Sequence, residues 1–159
     1  MNKKDTVVFD LDGTLLDTLE DLKNSVNYAM TQCGYPEHTL DEVRRYVGNG
    51  ILLLMQRAIP GGKDDPNFDK AFTLFKEHYG KHCNDTTKSY AGIMELLHTL
   101  KENNIKIAIV SNKADFAVKE LNAIYFKDLI PVAIGEKESE GIRLSRYRHY
   151  HLYLGRYLI

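Results

Sequence analysis

A short apolar run that ends in two carboxylates and a glycine constrains this chain more than any other feature. Val7-Val8-Phe9 leads into Asp10-Leu11-Asp12-Gly13-Thr14, and Leu15-Leu16-Asp17-Thr18 follows. The order predicts a buried strand that turns at a glycine and presents acids at its carboxyl end, the edge where open α/β sheets bind ligands. Strand side chains alternate with period two, so Asp10 and Asp12 fall on one side. A carboxylate there can attack phosphorus and form an aspartyl-phosphate. The second can protonate the leaving oxygen and then activate water. Gly13 permits the sharp turn and lets amides approach a phosphate. Taken alone, the pentapeptide also reads as a turn capped by aspartates, because Asp and Gly both favour turns.

The pattern along the chain supplies the context. Asp17 to Cys33 reads as an amphipathic helix with Leu22, Val26, Ala29, Met30 and Cys33 on one stripe. Thr39-Leu40-Asp41-Glu42 is a capping box opening a second helix that ends at Gly48. A third helix spans Ile51 to Ile59 and stops at Pro60-Gly61-Gly62, and a fourth carries Phe68, Ala71, Phe72, Phe75 and Tyr79. Strand signals return only at Ile105 to Val110, closed by Ser111-Asn112, and at Leu129 to Ile134, ended by Gly135. Helix patterns lie between them. This predicts an α/β fold: a parallel, incompletely doubly wound (Rossmann-like) core of three strands over 1–16 and 86–141, with a four-helix cap inserted over 17–85.

At 159 residues the chain fits one domain, or a small domain with an insert. It has no run of 18 apolar residues and no charged-then-apolar leader, so neither a membrane partner nor a signal peptide is expected. Cys33 and Cys83 form no metal-ligand spacing and no disulfide framework, which predicts a reduced, cytoplasmic compartment. His78 and His82, one helical turn apart and followed by Cys83, have zinc-like spacing but no visible fourth ligand.

Three further groups attach to the strand-end acids. Ser111 and Asn112 follow the second core strand, where a hydroxyl and an amide can hold phosphate oxygens or cap the next helix. Lys113 comes next, either as charge near a phosphate or as a solvated helix-start lysine. In the helical insert, Val47-Gly48-Asn49-Gly50 reads as a tight turn between helices, with the backbone freedom a loop needs to close over a substrate and exclude water.

The segment Val7 to Thr18 resembles the first motif of the haloacid dehalogenase-like hydrolase superfamily. Ser111-Asn112-Lys113-Ala114-Asp115, and the Gly48-Asn49-Gly50 loop with Leu53, Leu54, Arg57 and Ala58, look like its phosphoglycolate phosphatase branch. The resemblance implies a Mg²⁺-dependent phosphatase of small phosphorylated metabolites. Asp10 is its nucleophile and Asp12 its acid/base. Asp10 and the Asp12 backbone carbonyl are metal ligands. Gly13, Thr14, Ser111, Asn112 and Lys113 lie at the phosphate, and Gly48, Asn49 and Gly50 select substrate. No nucleic-acid partner is implied. A pyrophosphatase or β-phosphoglucomutase-like enzyme is the alternative within the superfamily. A phosphoacceptor receiver domain, or a non-catalytic remnant that binds a partner, is the alternative outside it.

The resemblance stops near residue 142. All 22 acids precede position 141, against 17 Lys and Arg through Gly141, whereas Ile142 to Ile159 hold four arginines, four tyrosines and no acid. Lysine usage ends there as well. The family's third motif, a lysine followed by proline, aligns with Arg143-Leu144, and no later carboxylate follows. These facts together suggest a frameshift near codon 142, or foreign sequence appended at that point; reading the other frames tests it. With the later lysine and acids missing, low or no turnover is expected. The uncovered edge of the first strand is expected to favour self-association unless the strand-like stretch Tyr150 to Leu154 covers it.

Overall fold

The computed structural model describes residues 5–137. The tail after residue 142, with Arg143, His149, His151 and Tyr150 to Leu154, lies outside the described residues. The described residues divide into two compact units, one holding those up to Leu16 and those from Ser89 to Lys137, the other Asp17–Lys88.

The first unit is built on β1 (Thr6–Phe9), β4 (Lys106–Ala114) and β5 (Val132–Glu136). Their β-branched residues suit a pleated, buried surface. The strands form a parallel sheet in the order β1-β4-β5, with Val7 opposite Ile107, Phe9 opposite Ile109 and Ala108 opposite Val132. Helix α5 (Ile93–Glu102) leads into β4 and α6 (Asp115–Tyr125) leads out of it. The pleat sorts the core. Ile107 and Ile109 join Leu97 of α5, Val118 and Leu121 of α6, and Leu11, Leu15, Leu16 and Phe126. Ala108, Val132 and Ile134 cluster on the opposite face. Both described helices of this unit therefore pack on one side of the sheet.

The second unit contains α1 (Leu19–Gln32), α2 (Leu40–Tyr46), α3 (Ile51–Ala58), a 3-10 turn at Gly62–Asp64 and α4 (Phe68–His82). Val26 and Met30 of α1, Val43 of α2, Met55 of α3 and Phe75 of α4 are fully buried in one cluster. The capping box forms as its sequence requires. Glu42 N donates to Thr39 Oγ1 at 3.3 Å, and Thr39 N donates to Glu42 Oε2 at 2.8 Å. The bonds that Thr39 donates to the carboxylate, from its N and from its Oγ1 (2.8 Å each), hold the Glu42 carboxyl below its ordinary value. Asp21 is almost wholly buried. It accepts from Thr86 N and Oγ1 and from Thr87 N and Oγ1 at 2.7–3.1 Å, which offsets the loss of water around its charge.

The α/β core and the inserted helical cap follow the sequence pattern, with three local differences. Asp17 does not open α1; Leu16–Asp17 (β2) pair with Lys88–Ser89 (β3) in a two-stranded sheet. Strand β4 does not close at Ser111-Asn112 but continues to Ala114, which pairs with Glu136 across a register shift after Val110. The last strand starts at Val132, not Leu129. Leu129 N and Ile130 N both donate to Phe126 O at 2.9 Å, closing the end of α6, and Pro131 has no N–H to offer a ladder. Among the described residues, no helix is long and apolar enough to cross a membrane.

Candidate active site

The turn after β1 is organised by one carbonyl. Leu11 O accepts from the amides of Thr14 (3.3 Å), Leu15 (3.0 Å) and Leu16 (3.1 Å), while Gly13 N donates to Leu16 O at 2.9 Å. Gly13 sits at φ +73°, the left-handed conformation that a side chain disfavours. The apolar members Leu11, Leu15 and Leu16 are fully buried. The polar members are thereby turned outward: Asp10, Gly13 and Thr14 are exposed and Asp12 is half-buried. Asp10 Oδ1 accepts from Leu11 N at 2.7 Å, which fixes the carboxylate's direction at the strand end.

Strand β4 brings its own polar residues to the corresponding end of the sheet. Ser111 lies two residues beyond the last pair with β1, Phe9 opposite Ile109, and is 1% exposed. Its Oγ accepts from Lys113 N at 3.4 Å. The hydroxyl therefore has its own proton to donate elsewhere. Lys113 is buried as well, with a side chain 1% exposed, and its ammonium donates to Asp12 Oδ1 at 3.1 Å. The solvated helix-start reading of this lysine is thus corrected: it lies inside the unit, on the strand, against the second motif acid.

Two features that sequence reasoning missed support this strand end. Asp115, which closes the Ser111-Asn112-Lys113-Ala114-Asp115 run, accepts from Gly135 N at 3.0 Å and pairs with Lys119 at 2.6 Å. Burial alone would raise its carboxyl. The Lys119 bond, the Gly135 amide and the charges of Lys119 and Lys137 outweigh this and hold it below its ordinary value. Gly135 is a close-approach glycine. A Cβ there would stand 2.5 Å from Lys113 O and 2.6 Å from Asp115 Cα. An acid at the start of one helix pattern and a glycine after the next apolar strand run, twenty residues on, were the available signal.

In the helical unit, Gly48 and Gly50 take φ +107° and +84°. The guanidinium of Arg57 spans the loop, donating to Tyr46 O at 2.7 Å and to Asn49 Oδ1 at 3.0 Å. The zinc-like trio does not converge. His78 stacks against Tyr28 (4.4 Å) and His82 (4.3 Å), its Nδ1 shares a hydrogen bond with Ser25 Oγ at 3.0 Å, and Cys83 is buried. Among the described residues, no group of three or more His, Cys, Asp or Glu is placed to hold a metal. The donors at the β1 turn are hard oxygens, the kind Mg²⁺ prefers, with water completing its shell.

Residues 7–143 match the family described as haloacid dehalogenase-like hydrolase. The phosphoglycolate phosphatase of Thiobacillus denitrificans is 35% identical over 113 residues, 69% of this chain and 50% of that protein. That of Nitrosospira multiformis is 34% identical over 133 residues, 80% and 59% respectively. The chain thus spans about half the length of the curated relatives it matches. A crystal structure from Lactobacillus delbrueckii subsp. bulgaricus superposes with a TM-score of 0.83 at 29% identity, covering 94% of this chain and 74% of the other. One of a predicted phosphoglycolate phosphatase from Haemophilus somnus gives 0.76 at 29% identity, covering 82% and 62%. The matched span, the parallel core and the Asp10 to Thr14 turn agree, and the chain belongs to the haloacid dehalogenase-like hydrolases.

Proposed function

We propose that this chain carries the nucleophile half of a Mg²⁺-dependent phosphatase for small phosphorylated metabolites of the phosphoglycolate type. The observation that carries the reading is the β1 turn. It exposes Asp10 while Asp12, two residues on, is gripped by a buried ammonium. In the proposed reaction a carboxylate oxygen of Asp10 attacks phosphorus, and the bond from phosphorus to the leaving oxygen breaks. Asp12 gives that oxygen its proton. Water then attacks the aspartyl-phosphate, losing a proton to Asp12, and the phosphorus–Asp10 bond breaks to release phosphate and restore both acids. The Ser111 hydroxyl, the Asn112 amide and the backbone at Gly13 and Thr14 hold phosphate oxygens, with Lys113 supplying positive charge. Mg²⁺, held by the Asp10 carboxylate and the Asp12 carbonyl, offsets charge on the transferring group when bound. Gly48, Asn49 and Gly50, braced by Arg57, set the shape that selects substrate.

Two free cysteines, Cys33 and Cys83, suit a cytoplasmic setting. Among the described residues β1 is an edge strand, with Val8 44% exposed, so a second copy is its expected partner at high concentration. Mg²⁺-dependent phosphate release from 2-phosphoglycolate, compared with Asp10→Asn, tests the reading. Release is expected to fall to background in the variant, and release that survives the substitution removes Asp10 as nucleophile.

A further inference from the structure

The geometry points to Lys113 as a positioning residue that acts through Asp12, so that strand β4 itself supplies the resident cation of the acid/base carboxylate. This rests on the phosphatase reading above but assigns Lys113 a different task from direct contact with phosphate. The lysine side chain is 1% exposed and the Asp12 side chain 30%. An ammonium so withdrawn from water is tolerated only beside a compensating group. Asp12 Oδ1, at 3.1 Å, is such a group. The Asp12 side chain thus stays partly exposed to solvent while its Oδ1 is held.

The backbone beneath Lys113 is held at two points, in a stretch where the ladder with β5 is irregular. Its N–H donates to Ser111 Oγ, its carbonyl abuts Gly135 where a Cβ would come within 2.5 Å, and the strand register shifts between Val110 and Ala114 around it. With the stem buried and the backbone gripped, the ammonium cannot follow a substrate outward. It can stop rotation of the Asp12 carboxylate and offset one of two like charges placed two residues apart. The first holds the acid in place for proton transfer to the leaving oxygen, and the second stabilises the carboxylate left once that proton has gone. Neither requires Lys113 to touch phosphate.

The test compares Lys113→Met and Lys113→Arg with the parent chain on two substrates. The alkoxide leaving group of phosphoglycolate needs a proton, whereas acetyl phosphate leaves without one. With Lys113→Met, kcat for phosphoglycolate is expected to fall by about tenfold or more while KM changes little. Phosphoenzyme formation from acetyl phosphate falls far less, and Lys113→Arg, which keeps the charge, recovers part of the loss. Equal losses on both substrates with a raised KM would make Lys113 a phosphate ligand and overturn the inference. Thermal unfolding of Lys113→Met, Asp12→Asn and the double variant adds an arm independent of turnover. The two substitutions are expected to be non-additive, and additivity overturns the pairing even where the parent chain shows no activity. A parent chain that forms no phosphoenzyme but keeps the coupling would instead remove the phosphatase reading and leave the pair as a structural contact, which also overturns the positioning role.

Discussion

The helical unit and the α/β unit use polar groups in opposite ways. In Asp17–Lys88 the one deeply buried carboxylate, Asp21, is surrounded by donors from Thr86 and Thr87 and has nothing left to do but hold α1 to the segment after α4. In the α/β unit the turn acids face outward, and the buried charge is a lysine that grips one of them. One unit spends its polar bonds on closure, the other on presenting reactive groups. The apolar cores match this division. Twelve buried residues from four helices, with Ile59 and Cys83 just beyond two of them, make a single cluster in the helical unit, whereas the sheet divides its buried residues between two faces. Stability and chemistry are therefore separable by mutation.

Asp21→Ala tests that separation most severely. It leaves the amides of Thr86 and Thr87 without their acceptor inside the helical unit, which is expected to cost about 3 kcal/mol. Thermal unfolding followed by amide exchange should localise the loss to 17–88. If instead the β1 turn loses protection to the same extent, the two units unfold together and the contrast fails. Gly135→Ala is the counterpart in the α/β unit. The added methyl meets backbone atoms of Lys113 and Asp115 within 2.7 Å, and backbone cannot swing aside as a side chain end can. Overpacking of this kind costs about 2 kcal/mol. Because the strand end under Lys113 must shift, the variant should also lose phosphate release, which Asp21→Ala should not match at a temperature where both are folded.

What was legible in the sequence was local. The Thr39 capping box and the stripe Phe68, Ala71, Phe72, Phe75 and Tyr79 each specify their structure within a few residues and occur as read, Phe72 at the margin of the core. The strand before Asp10 also forms, but it is half-buried and ends at Phe9, so the two acids lie on the turn and not on the strand. What was not legible depends on approach across the fold. Lys113 and Asp12 are 101 residues apart, and the choice between a solvated lysine and a buried one is made by strand β4 continuing past Ser111. Asp21 reaches a threonine pair 65 residues on, and no helix pattern distinguishes it from the neighbouring Glu20, which pairs with Lys23 on the surface. Gly135 reads as a strand stop, because a glycine required by another backbone looks the same in sequence as one required by a turn. The strand's continuation to Glu136 shows which it is.

The smallest effect concerns how far the α/β unit depends on pH. Asp115 is held below its ordinary value by Lys119 and the Gly135 amide despite partial burial. A carboxyl lowered in the folded state binds its proton more readily in the unfolded one. Its contribution is therefore complete above the unfolded value of about 3.9 and is lost as pH falls through the lower folded value. Lys119 is 60% exposed, so solvent screens much of the pairing, and such pairs contribute less than about 1 kcal/mol. Melting between pH 6 and pH 3 should show the α/β unit of Asp115→Asn losing less stability with acid than the parent, with the helical unit unchanged. Parallel acid slopes for parent and variant would mean that the Gly135 contact holds by shape alone, and the junction beneath Lys113 would then owe its rigidity to the missing Cβ and not to the carboxylate.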